Sequence, residues 1–258
     1  MNQDFYIGYS PKAPVALGRW VSHLVTGLVL TGLAVGALLT LGQAHFANSR
    51  FEYGIYREYS GVIEELPYPI LRTAGSNFLL VGPGKHGLSG TVHGLQGKSV
   101  RLQGSLIERG HDQMLEVPPE SIREIGPLPG AVNPALKEPA NLGPVLLRGE
   151  IVDSKCYLGV MNPGNGKVPR DCAVRCISGG VPPAFIARDA AGETKVLLLV
   201  GLDGRALNKE VLPFVAEPVE IQGQLVRSDS RLVLQIYSLR RASFSSTPGA
   251  SVQGAAGE

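Results

Sequence analysis

The chain has three cysteines, and all of them fall in one glycine- and proline-rich stretch, GEIVDSKCYLGVMNPGNGKVPRDCAVRCISGGVPP at 149–183. They are Cys156, Cys172 and Cys176. The segment PRDCAVRCISGG (169–180) has helix punctuation. Pro169 suits a first-turn position, Asp171 complements the positive helix end, and Gly179-Gly180 stop the helix. Cys172 and Cys176 are then i and i+4 and share a face. Cys172 falls in the first turn, with Arg170 and Arg175 as candidate charge partners for its thiolate.

Four readings of the cluster stand side by side. In the first, Cys156 is bonded to Cys172 or Cys176, and the disulfide staples the helix down; closing a loop of roughly 15–20 residues is worth about 3 kcal/mol. In the second, the three thiolates form part of a soft-metal site for zinc or copper, although three Cys with no His or fourth Cys is an incomplete zinc set. In the third, Cys172 and Cys176 cycle between thiol and disulfide, on a CxxxC spacing weaker as a redox signature than CxxC. In the fourth, the three are buried, inert thiols.

Other chemistry is sparse. GPGKHG at 82–87 is a glycine-rich loop in which Gly84, Lys85 and His86 are candidates for cradling an anion; the alternative is a plain strand-end loop. It lacks the spacing of a phosphate-binding P-loop. His93 and His111 have no spaced partner and read as surface or turn residues. Glu64 and Glu65 are adjacent, so on a strand they point to opposite faces and cannot act as an acid–base pair. There is no GxSxG elbow, no dinucleotide fingerprint and no CxxCH, so no catalytic residue is assigned and an enzyme is the less favoured reading.

The elements that must position these residues are mainly β. Residues 99–117, SVRLQGSLIERGHDQMLEV, lie over 218–236, PVEIQGQLVRSDSRLVLQI, at an ungapped offset of 119, with Gly104 on Gly223 and LLVG at both 79–82 and 198–201. Period-two alternation marks half-buried strands, and the central glycine suggests a bulge or bend in a sheet that curls into a barrel. Gly61 lies over Gly149 at an offset of 88, so the second copy holds an insertion of 119 − 88 = 31 residues, and that insertion contains the helix cysteines. Two tandem OB-like barrels are expected, at 53–125 and 145–242; one continuous β-sandwich is the alternative. Residues 126–144 read as a Pro/Gly linker and 243–258 as a disordered low-complexity tail.

Residues 21–42 hold no Asp, Glu, Lys or Arg. About 20 apolar residues span a bilayer core, so a transmembrane helix is expected at 21–43 after a short tail at 1–20. A cleaved signal peptide is the alternative, with GQA at 42–44 as its cleavage site. The small excess of positive charge before the span favours an N-terminus inside, a single pass through the inner membrane and periplasmic soluble domains. The net charge of +2, with no run of Lys or Arg, argues against a nucleic-acid partner.

GEIVDSKCYLG…RDCAVRCISGGVPP resembles a segment of uncharacterised bacterial exported or membrane-anchored proteins. In these a Cys after the first strand accompanies a CAxxC helix, a Gly-Pro turn and an OB-like barrel. The resemblance covers about 147–240, and the first copy only through the internal repeat. Members often carry a His shortly before the first helix cysteine, where this chain has KVPRDC with Pro169. The resemblance implies fold and location, not chemistry. The reading that results is a membrane-anchored, non-enzymatic accessory protein that shows its barrels to membrane or periplasmic protein partners. The alternatives are a thiol-redox or soft-metal protein using the three cysteines, and an enzyme of unknown class.

Overall fold

The alternating segments become two long strands, and each helps to close a five-stranded barrel. The computed structural model describes residues 14–42, 49–127, 139–188, 193–229 and 231–242. The segment 243–258, expected to be disordered, and the N-terminal residues 1–13 lie outside them. In the first barrel the strands are β1 (Ser49–Phe51), β2 (Arg57–Glu64), β3 (Ile70–Arg72), β4 (Asn77–Val81), β5 (Ser99–Arg109), β6 (Asp112–Glu116) and β7 (Arg123–Glu124). The ring runs β5-β2-β3-β4-β6 and closes where β6 pairs with β5; β1 and β7 add to β5. The second barrel uses β8 (Ala140–Asp153), β9 (Pro183–Arg188), β10 (Thr194–Val200), β11 (Pro218–Ser228) and β12 (Arg231–Arg241), in the closed order β10-β12-β11-β8-β9.

The registers of the two rings correspond. Leu79 faces Met114 across a parallel pair, as Leu198 faces Val233. Ser105 faces Glu116 as Gln224 faces Gln235, and Gly61 faces Val100 as Gly149 faces Val219. At Gly104 strand β5 changes partners, pairing with β2 up to that residue and with β6 beyond it. The corresponding strand β11 shifts register at Gln222/Gly223. In each ring the central glycine thus lies within one long strand, at a change of partner or of register.

Three apolar clusters hold the body together. One fills the first barrel around Leu71, Leu80, Leu102 and Leu115, and one fills the second around Ile151, Phe185, Leu199 and Ile221. The third contains Tyr68, Leu79, Val81 and Met114 of the first barrel with Cys156, Cys176, Val181 and Leu198 of the second. The barrels therefore share a core, and the cysteines lie in it. Tyr68 crosses this boundary: its hydroxyl donates to Leu199 O at 2.8 Å and accepts from Leu207 N at 3.2 Å. Burial pushes the Tyr68 phenol well above its ordinary range.

The linker expected at 126–144 is shorter than that. Residues 128–138 lie outside the described ones, and 140–144 already belong to β8. Pro144 and Gly143 look like turn residues but are accommodated in the strand. This half of β8 is flanked only by β11, so the missing N–H of Pro144 breaks no second ladder. Gly143 takes φ +99° where the register against β11 slips between Leu225 and Val226.

The N-terminal unit is described by itself. Helix α1 (Val15–Leu41) starts six residues before the apolar run at 21, because VALGRW at 15–20 continues the helical pattern. Its mean hydropathy reaches 2.2 over 18 residues, and none of its residues is buried. That is the length and composition of a membrane span or of a signal sequence.

Candidate functional site

The inserted segment lies between β8 and β9, at 154–182, where only 65–69 join β2 to β3. At its start, Asp153 Oδ1 accepts from the backbone N–H of Lys155 at 2.8 Å and of Cys156 at 3.3 Å. This Asx turn ends the strand. It leads into a single π-helical turn, Cys156–Val160, closed by Met161 N to Cys156 O at 3.0 Å. Such π-turns are rare and occur frequently at functional sites. Cys156, Tyr157 and Leu158 are all buried.

Helix α2 (Arg170–Ser178) follows the expected punctuation, with Pro169 before it and Gly179-Gly180 after it. Its end is a Schellman motif. Val181 N reaches Cys176 O and Gly180 N reaches Ile177 O, both at 3.0 Å, and Gly180 has φ +96°. The face that carries Ala173, Cys176 and Ile177 is buried, at i, i+3 and i+4.

The three sulfurs converge: Cys156, Cys172 and Cys176 Sγ all lie within 4.8 Å of one another. All three are free thiols, so no disulfide joins Cys156 to the helix in the structure. Cys156 and Cys176 are buried, and Cys172 is half-buried. The hydrogen bond with Cys176, then burial, then the Asp153 carboxylate push the Cys156 thiol well up from its ordinary value.

A second element reaches the sulfurs from the other barrel. The loop expected to cradle an anion brings Lys85 Nζ to donate to Cys172 Sγ at 3.1 Å. That hydrogen bond raises the Lys85 pKa from its ordinary value. The loop is locked onto α2 by Gly87 N donating to Gly179 O at 2.8 Å. Neither glycine tolerates a side chain, since a Cβ on Gly179 would collide with Lys85 O and one on Gly87 with the Gly180 backbone.

Behind the loop sits Lys155, buried and next to Cys156 in sequence. Its ammonium donates to Gly82 O at 2.8 Å and Gly84 O at 2.7 Å, and pairs with the buried Glu116 at 2.5 Å. All three of its donors are thereby used. The loop therefore turns carbonyls toward a cation, the opposite polarity to an anion cradle. Gly84 supports the loop at φ +65°, and His86 is exposed.

The structure thus joins two candidate sets, the cysteines and Lys85, that are 87 residues apart between Lys85 and Cys172. It leaves the others out. His93 is 88% exposed beside Glu65, and His111 is exposed in the β5–β6 turn. Glu64 pairs with Arg72, and Glu65 accepts from Gln96 N. Of the two arginines expected to serve Cys172, Arg170 faces elsewhere: its Nε donates to Val215 O at 3.1 Å and lies 4.0 Å from Glu217. Asp153, Lys155 and Glu116 were not singled out by the sequence. The available signal was DSK immediately before Cys156, charged residues at the end of an otherwise apolar strand.

No protein-family model and no curated protein matches the chain. Three thiolates around one zinc ion at about 2.3 Å stand about 3.8 Å apart. Sulfurs already within 4.8 Å reach that spacing by small side-chain movements. Thiolates are the ligands of soft and borderline ions, zinc(II) and copper(I) among them. A cleft on the first barrel, lined by Tyr56, Arg101, Gln103 and Arg123, contains no thiol. A second, between the barrels, has Arg72, Asp229 and Arg231 in its wall and also lacks one.

Proposed function

We propose that the chain is a membrane-anchored accessory protein whose two-barrel body holds a thiolate-preferring metal ion, zinc(II) or copper(I), on Cys156, Cys172 and Cys176. The convergence of three free sulfurs from two separate segments carries this reading. A free buried thiol ordinarily behaves as a small apolar core group. Here three share one spot at the boundary of two barrels, with an ammonium at 3.1 Å to offset negative charge. Helix α1 supplies the anchor. The body stands on the outer face of the inner membrane and meets its partners, membrane or exported proteins, there.

Metal analysis of the full chain purified in detergent under reducing conditions tests the metal. One zinc or copper per chain is expected, with all three thiols shielded from alkylation until a chelator is added. Three reactive thiols and no metal sink the reading. Two missing thiols and no metal in a parallel preparation without reductant replace it with a disulfide, either a staple from Cys156 or a redox pair on α2.

A further inference from the structure

Beside the sulfurs is a fully buried carboxylate whose bonding is incomplete. Asp153 has no exposed surface. Its Oδ1 is held by the backbone N–H groups of Lys155 and Cys156. Its Oδ2 is buried and has no hydrogen-bond partner. A buried carboxylate oxygen left unpaired is among the costliest groups a fold can hold, and such atoms call for a specific explanation. No cation pairs with it among the described residues. The Lys155 ammonium is taken up by Glu116, Gly82 O and Gly84 O, and that of Lys85 lies on Cys172. Its Oδ1 accepts from the backbone N–H of Cys156 at 3.3 Å, so the carboxylate lies beside the residue that carries the first sulfur, and its charge helps push that thiol up.

We infer that Asp153 is the fourth ligand of this site, closing a tetrahedron of three sulfurs and one oxygen around zinc(II). The inference rests on the metal reading above and adds to it the ion's identity. Zinc in protein sites takes four ligands and accepts carboxylate oxygen, whereas copper(I) is selected by soft sulfur and leaves a carboxylate unused. Oδ1 orients the group from the backbone side and leaves Oδ2 available. The carboxylate oxygens are not among the atoms within 4.8 Å of one another, so the assignment requires the Asp153 side chain to turn toward the sulfurs when the ion binds. Three thiolates and a carboxylate around zinc(II) leave two negative charges, and the Lys85 ammonium at Cys172 offsets one of them.

The test is Asp153→Asn, which keeps Oδ1 and both backbone hydrogen bonds but replaces the ligand oxygen with an amide. Full-length protein in detergent is stripped with a chelator. Zinc(II) affinity is then measured by competition with a chromophoric chelator, and copper(I) affinity by competition with a bathocuproine. Asp153→Asn is expected to weaken zinc by more than about 100-fold, because loss of an outer-shell partner alone costs roughly 10–100-fold. Copper(I) affinity should change by less than about 3-fold, since soft-sulfur sites do not need the oxygen. A second variant, Asp153→Cys, supplies a different fourth ligand and should restore zinc to within about 10-fold of the parent chain. Equal weakening of both ions by Asp153→Asn, a zinc loss of 100-fold or less, or no rescue by Asp153→Cys overturns the ligand assignment and leaves the three-thiolate site standing. If the parent chain binds neither ion one-to-one, the underlying reading fails instead.

Discussion

Lys155 shows how much of the site depends on a residue that touches no sulfur. It is 3% exposed and its partner Glu116 is 8% exposed, so neither charge is screened by water. A buried pair adds little over an apolar replacement, but removing one member strands the other. Lys155→Met should therefore destabilise the body by about 3–5 kcal/mol, read from the shift in urea midpoint. Adding Glu116→Leu should recover part of that loss, because the stranded carboxylate is gone. A shift below about 1 kcal/mol would mean that the ammonium is solvated after all. Gly82 and Gly84 lose their donor in the same variant, so the loop bearing Lys85 should loosen along with the stability loss.

Among the strands, an ion triplet fastens one face of the second barrel. Glu220 on β11 takes Arg148 of β8 at 2.8 Å and also pairs with Arg240 of β12. Arg148, then Arg240, hold the Glu220 carboxyl below its usual range. A depressed carboxylate stabilises the fold above its unfolded value, near pH 4.3, and that contribution fades as pH falls through the lower folded value. Glu220 is covered by these two exposed arginines and not by the barrel core, so the gain is modest. Glu220→Gln should lower the melting temperature slightly at pH 7 and leave it unchanged near pH 2. An equal deficit at both pH values would indicate a packing effect. The elements themselves were largely legible: alternation located the paired strands, and Pro169, Asp171 and Gly179-Gly180 bounded α2. What could not be read was long-range. A loop at 82–87 meeting a helix at 170–178 depends on how two barrels dock, and neither composition nor periodicity encodes that. The start of β8 was missed for a local reason, since Gly143-Pro144 signals a turn unless a bulge and a free edge absorb it.

For the body as a whole, the shared apolar cluster decides whether two barrels are two folding units. Leu79, Val81 and Met114 pack with Val152, Leu198 and Val200 in one core. Hydrogen exchange on the full chain should therefore protect β4 and β10 to a similar degree, with one global opening. Protection in β10 that outlasts β4 by orders of magnitude would mean the barrels open independently. The Lys85–Cys172 contact also has a temporal meaning. Its two halves are made at different moments of synthesis, and the first barrel can close before the second has left the ribosome. Until the later barrel docks, the early loop has no ammonium behind it and the late thiols have none beside them. Completion of the pocket around the thiols is thus a late event in the life of each new chain.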